Sequence, residues 1–302
     1  MPLAVTAGIE LCYEEIGDPD APVLLLVMGL GGQLTGWDEG LCRRLASRGF
    51  RVVRYDNRDV GLSTHLDEPV PDLAAVVGGD RSQLRYGLED MADDAAALLD
   101  HLGAQRAHVV GMSMGGMIAQ LVALRHAGRV ASLCSIMSTT GDPSVGQPSA
   151  EAVGVLLRPA APDRDAAMEA AVAGRRVTGS PGFELDEARV RARAAVAYDR
   201  SSDPGGSTRH LAAILCAADR TEALRRLGVP TLVVHGDSDP LIHCSGGVAT
   251  AEAVPGARLV LVPGMGHDLP EPIWPMLVDA IAANADRGRS GELGEPGEAG
   301  CP

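Results

Sequence analysis

The chain has 302 residues, 46% of them apolar, which is enough for one large domain with an insertion or for two domains. Its formal net charge of -14 argues against nucleic acid or an anionic membrane surface as a partner, since both would repel it. All 26 basic residues are Arg, so Schiff-base chemistry and a Lys general base are excluded.

Apolar residues alternate over the first 15 positions (Leu3, Val5, then Ile9, Leu11, Tyr13 around Ala7-Gly8), the pattern of an antiparallel hairpin at a sheet edge. Acidic residues at 10, 14, 15, 18 and 20, with no basic stretch ahead of an apolar one, do not read as a secretory signal, and a cytoplasmic location is expected. Val23–Met28, Arg51–Tyr55, Ala107–Gly111, Val130–Met137, Pro230–His235 and Ala257–Val262 are short apolar or β-branched runs, the pattern of parallel strands buried on both faces. Helical spacing fills Trp37–Ser47, closed by Gly49, and Leu88–Leu102, closed by Gly103. Strand and helix thus alternate as in an α/β doubly wound sheet. The run Val23–Leu30 is too short to span a bilayer, and no membrane segment is expected.

From 139 to 219 the pattern changes. Joints rich in Pro, Gly and Ser at 141–149, 179–182 and 201–206 separate Ala- and Arg-rich helical stretches, so an inserted helical lid is expected here, between core segments 1–138 and 220–286. Residues 287–302, rich in Gly, Glu and Pro, are expected to be a disordered tail.

Gly111-Met112-Ser113-Met114-Gly115 has the form G-x-S-x-G, directly after one strand run and before the helical pattern 116–125. That context is the one a nucleophile elbow requires, with the serine on a sharp strand-to-helix turn. A serine hydroxyl needs a base and a carboxylate to become a nucleophile; otherwise Ser113 is only a turn residue. Both partners are available: Pro230–His235 leads into Gly236-Asp237-Ser238-Asp239-Pro240, and Ala257–Val262 into Pro263-Gly264-Met265-Gly266-His267. The remaining seven histidines share no spacing that suits a metal, and the six cysteines lie singly, so neither a zinc site nor a disulfide framework is indicated.

These motifs, with the loop Asp56-Asn57-Arg58-Asp59-Val60-Gly61-Leu62-Ser63, resemble the α/β-hydrolase superfamily over roughly residues 1–286. Within it, the text around Leu24–Leu30, Arg54–Ser63 and Gly111–Gly116 is similar to actinobacterial esterases of the aclacinomycin methylesterase group. The resemblance implies an α/β-hydrolase fold with a mostly parallel twisted sheet, helices on both faces and an inserted helical lid. It also implies a triad of Ser113, His267 and Asp239, the acid preceding the proline in G-x-x-D-P; Asp237 is the physical alternative, otherwise a turn-supporting residue. An oxyanion hole would come from the backbone amides of Leu30 and Met114. This chain has Met28-Gly29 where many relatives carry His-Gly, which leaves those amides available. Arg58 and Asp59 are expected to buttress their loop through a salt bridge, and Asp268 to be solvated or to cap a helix.

The function implied is hydrolysis of a small-molecule carboxylic ester through an acyl-enzyme on Ser113, with no cofactor and no metal. Haloalkane dehalogenases and epoxide hydrolases normally carry Asp at the elbow, and proline iminopeptidases have aromatic residues that a chain with two Trp and two Phe does not supply. C–C bond hydrolase, lactonase and perhydrolase chemistry stay open because they use the same triad. A non-catalytic ligand-binding protein on this scaffold is the contrasting class, and such proteins typically lack a triad member. Apolar positions of the insertion (Val153, Val155, Leu156, Leu157, Met168, Ala212, Ile214, Leu215) read either as a packing face or as a pocket wall; Leu156 and Leu215 are the candidates for substrate contact.

Overall fold

A computed structural model describes residues 1–6, 8–67 and 69–290. Eight strands form one sheet: β1 (Leu3–Val5), β2 (Glu10–Ile16), β3 (Val23–Val27), β4 (Arg51–Tyr55), β5 (Ala107–Met112), β6 (Val130–Ile136), β7 (Thr231–Gly236) and β8 (Arg258–Val262). Their spatial order is β1-β2-β4-β3-β5-β6-β7-β8. The first two strands form the expected antiparallel edge hairpin, with Leu3 opposite Cys12, and β2 also runs antiparallel to β4. From β4 to β8 all pairs are parallel. The six parallel strands coincide with the apolar runs to within a residue at each end. β6 stops at Ile136 because Met137 turns to a φ of 42°, outside the β region.

The helices are α1 (Glu39–Ala46), α2 (Leu73–Val77), α3 (Leu88–His101), α4 (Met114–Arg125), α5 (Ala150–Leu156), α6 (Arg164–Thr178), α7 (Glu187–Arg200), α8 (Pro204–Cys216), α9 (Thr221–Leu224), α10 (Ser245–Ala253) and α11 (Trp274–Ser290). One core layer packs α3 and α4 against one face of the sheet, through Leu88, Met91, Leu98, Ile118 and Val122 among others. The other packs α1 and α11 on the opposite face, through Leu41, Leu45, Leu277 and Ile281. Helix α4 is buried from Met114 through Ala123 because the sheet, α3 and α9 enclose it.

The segment 139–219 contains α5 to α8 and no strand among the described residues. Helix α11 continues to Ser290, past the start expected for a tail at 287, since Arg287 is buried and donates to Gly256 O and Asn284 Oδ1. The rest of that tail, 291–302, lies outside the described residues. Among the described residues no helix is long and apolar enough to cross a membrane.

The strand order fixes where a site can form. The chain runs outward to β4 on one side of β3, and to β5, β6, β7 and β8 on the other, so the order reverses between β3 and β5. Loops leaving the carboxyl ends of those two strands diverge there and leave a crevice. They are 28–33 and the turn at Ser113.

Candidate active site

Ser113 joins β5 to α4 with φ 57° and ψ -124°, a conformation that non-glycine residues rarely hold. Its surroundings enforce it: Ser113 N–H donates to Ile136 O (2.9 Å), and its carbonyl accepts from Gly116 N–H (2.9 Å) and Ser138 Oγ (2.8 Å). A Cβ on Gly111 would collide with Gly115 O, and one on Gly115 with Val27 O, so the two glycines of the motif are required by close backbone approach.

Two further loops converge on this turn. His267, beyond β8, places Nε2 2.9 Å from Ser113 Oγ, and its Nδ1–H donates to Asp239 Oδ2 at 2.7 Å. A carboxylate can only accept, so the proton sits on Nδ1 and Nε2 is free to accept from the serine hydroxyl. Asp239 is buried, and its Oδ1 accepts from the amides of Leu241 (2.8 Å) and Ile242 (3.0 Å). Burial by itself would raise this carboxyl's pKa; the adjacent His267 and His235 outweigh it and hold the group well below the usual carboxylate range. His235, whose Nε2–H donates to Ile242 O at 2.8 Å, lies 3.5 Å from Asp239 Oδ2.

Asp237 is engaged elsewhere: its Oδ1 accepts from Gly264 N–H (2.7 Å) and Ser238 Oγ (2.8 Å), tying the turn after β7 to the loop that carries His267. Asp268 neither caps a helix nor stands free in solvent; it accepts from Ser180 Oγ, in the segment that follows α6. The last turn of α6 itself grips His267 directly, since His267 N–H donates to Thr178 O (2.7 Å) and Arg175 Nη1 to His267 O (3.0 Å).

The third loop follows β3. Gly29 lies so close to the elbow that a Cβ there would sit 3.2 Å from Ser113 Cβ. Among the described residues, the backbone amides of Leu30 and Met114 donate to no protein acceptor. Asn57 Nδ2 donates to Met28 O (3.1 Å), holding the end of β3, and Asp56 bridges this loop to its own by accepting from Leu34 N–H (2.6 Å) and Leu62 N–H (3.0 Å).

Arg58 and Asp59 do not pair with each other. Arg58 forms a bidentate pair with Asp94 on α3 (2.6 and 2.7 Å), and Asp59 one with Arg209 on α8 (2.8 and 2.9 Å). Asp59 has φ 65°, so the chain reverses at that residue and adjacent side chains leave in different directions. Asp59, His65 and Asp203 cluster closely enough to interest a cation, but Arg209 already occupies the position between the carboxylates, and both ring nitrogens of His65 are engaged by Asp203 and Gly61 O.

A cavity of about 1640 Å³ opens over Ser113 and His267, larger than the roughly 300–1,000 Å³ usual for a small-molecule site. Its wall is Met28–Gly32 and Met117 on the sheet side and residues of α5 to α8 on the other. Leu156 and Leu215 both line it, with Val155 and Ile214; Val153, Leu157, Met168 and Ala212 do not. The imidazole-bonded serine, the free amide pair and the cavity above them, lined by apolar and charged side chains alike, form an arrangement suited to acyl transfer.

A sequence profile of the α/β hydrolase fold matches residues 22–271, and the chain belongs to the α/β-hydrolase family. It is similar to rhodomycin D methylesterase DauP of Streptomyces sp. (strain C5), at 30% identity over 91% of this chain and 95% of that protein. It is also similar to the bifunctional esterase/perhydrolase DCH of Acinetobacter calcoaceticus, at 29% identity over 87% and 91%. The enol-lactonase of Burkholderia xenovorans LB400 superposes with a TM-score of 0.71 at 26% identity, covering 96% of this chain and all of that one.

Proposed function

We propose that this protein hydrolyses a carboxylic ester through an acyl-enzyme on Ser113, with His267 as base, Asp239 as the acid orienting it, and the amides of Leu30 and Met114 as the oxyanion hole. The observation that carries the reading is the unbroken line Asp239 Oδ2, His267, Ser113 Oγ, with separations of 2.7 and 2.9 Å. Ser113 Oγ attacks the ester carbonyl carbon while its proton passes to His267 Nε2. The carbonyl oxygen, now an anion, is held by the two amides. Collapse expels the alcohol, which takes the proton from His267, and leaves the acyl group on Ser113. Water then attacks under the same base and releases the acid. The chain's own groups suffice for every step, so the reading calls for no cofactor. The methylesterase and esterase names of the relatives support the reading.

We further propose that 1–138 and 220–286 form the core and 139–219 a lid that selects the substrate, which the large cavity allows to be bulky. The test is turnover of short and long acyl esters, methyl esters of bulky polycyclic acids, and lactones, with Ser113→Ala as control. Activity on one class, lost in the variant, is the expected result; turnover that survives in the variant overturns it.

A further inference from the structure

We infer that His210, on α8, is a positioning residue that holds the loop after β3 so that the Leu30 amide faces the nucleophile. The inference rests on the proposed oxyanion hole and extends it into the helical segment.

His210 is fully buried, and its two ring nitrogens meet partners of opposite kind. Nδ1 lies 3.2 Å from Gly31 N–H, which can only donate, and Nε2 lies 2.8 Å from Arg58 O, which can only accept. The ring is therefore neutral with its proton on Nε2, because an imidazolium would face a donor at Gly31. Burial pushes its pKa down to about 4, in keeping with that assignment. Edge-on packing against Tyr86, with ring centroids 6.4 Å apart, fixes the plane of the imidazole.

Gly31 directly follows Leu30, so a hydrogen bond at its amide fixes the Leu30–Gly31 peptide, which adjoins through the Leu30 Cα the Gly29–Leu30 peptide that carries the donor N–H. Without an acceptor at that point the loop is next held three and four residues after Leu30, by the Gln33 side chain on Ala197 O and Ser201 O and by Asp56 at the Leu34 amide. Helix α8 is itself clamped to the Asp56–Ser63 loop by Arg209 on Asp59, and a Cβ on Gly206 would collide with Asp59 O. The imidazole therefore projects from a fixed support. A displacement of the oxyanion donor leaves ground-state binding nearly unchanged and weakens the hold on the tetrahedral intermediate, so its loss falls on kcat.

Two substitutions separate the halves of this contact. In His210→Asn the side-chain oxygen falls near the Nδ1 position and still accepts from Gly31, while the link to Arg58 O is lost. In His210→Gln the amide NH2 falls near Nε2 and still reaches Arg58 O, while Gly31 loses its acceptor. With p-nitrophenyl acetate and the full-length protein, His210→Gln is expected to lower kcat at least about tenfold with KM changed by less than about threefold. His210→Asn is expected to retain most of the rate at a comparable melting temperature. Inhibition by a boronic acid, whose adduct places an oxygen in the hole, is expected to weaken in the Gln variant only. Equal rates for the two variants, or a slower Asn variant, overturn the role of His210 while Ser113→Ala remains inactive. Turnover that survives Ser113→Ala overturns the parent reading and this one with it.

Discussion

His267 takes Asp239 and not Asp237 as its partner: the two carboxylates lie two residues apart, yet one accepts from the imidazole at 2.7 Å and the other from the Gly264 amide at 2.7 Å. The division gives each a separable consequence. Asp239→Asn presents an amide that no longer fixes the Nδ1–H tautomer or balances imidazolium charge, so kcat is expected to fall about 10²-fold or more. Asp237→Asn keeps an oxygen for Gly264, and its loss is expected to stay within about threefold. Steady-state rates on one ester decide between them, and the opposite ordering moves the acid to Asp237.

Ser113→Ala is expected to lower kcat on any accepted ester by about 10³-fold or more with the fold intact, because a smaller side chain in the elbow removes the nucleophile without adding a clash. His267→Ala should be comparably severe. Labelling by a fluorophosphonate, followed by mass spectrometry of the adduct, should find position 113 in the wild type and no adduct in the alanine variant.

The elbow was legible in the sequence because its determinants are local: an apolar strand run, Gly111 and Gly115 around Ser113, and a helical pattern at once behind them. The strand runs were legible for the same reason. The choice between Asp237 and Asp239 was not readable from the residues, since both lie in one turn after β7, and it came from the family resemblance. His210 carried no local signal at all. Its contact to Gly31 spans 179 residues and exists only because α8 folds back over the sheet edge. Arg58 and Asp59 do buttress their loop through salt bridges, but the partners were not legible for a related reason: the reversal at Asp59 sends one side chain to Asp94 and the other to Arg209, both distant in sequence.

The Asp59–Arg209 pair joins the core to α8 with both side chains nearly inaccessible to water. Removing one partner strands a buried charge, so Arg209→Met is expected to destabilise the protein by about 3–5 kcal/mol. Adding Asp59→Asn to it removes that charge and should restore part of the loss. Urea unfolding of the single and double variants makes the comparison; a fully additive double variant would mean that the pair is not coupled.

His210 also predicts how stability responds to acid. Its ordinary pKa of 6.5 falls to about 4 in the folded protein, so between these values the unfolded chain binds more protons than the folded one. Stability must then decrease as the pH is lowered from 6.5 to 4, by up to on the order of 3 kcal/mol from this group. The charges facing the ring are Asp59 and Arg58 from the loop after β4 and Arg209 from its own helix, and Tyr86 packs against it. His65 works in the opposite direction, because Gly61 O and Asp203 raise its pKa despite the opposing effect of burial. The difference between wild type and His210→Asn isolates the term: the variant's melting temperature should fall less over this interval, and parallel curves would exclude His210 as the source.

Substrate preference should reside in the wall formed by 139–219, because on the proposed reading the loops of the sheet are already committed to nucleophile, acid, base and amide donors. Leu156 and Leu215 both face the cavity, and Leu215 keeps 47% of its surface exposed, so trimming it removes ligand contact more than core packing. Leu215→Ala and Leu156→Ala are each expected to change the ranking among acyl or alcohol groups by about 1–3 kcal/mol per lost contact. A minimal ester too short to reach α5 and α8 should be hydrolysed at nearly the wild-type rate. The measurement is kcat/KM over a graded ester series, beside melting curves that detect simple destabilisation. A uniform slowing across the whole series would assign the two leucines to packing, and the selective surface would then have to lie on other residues of the wall.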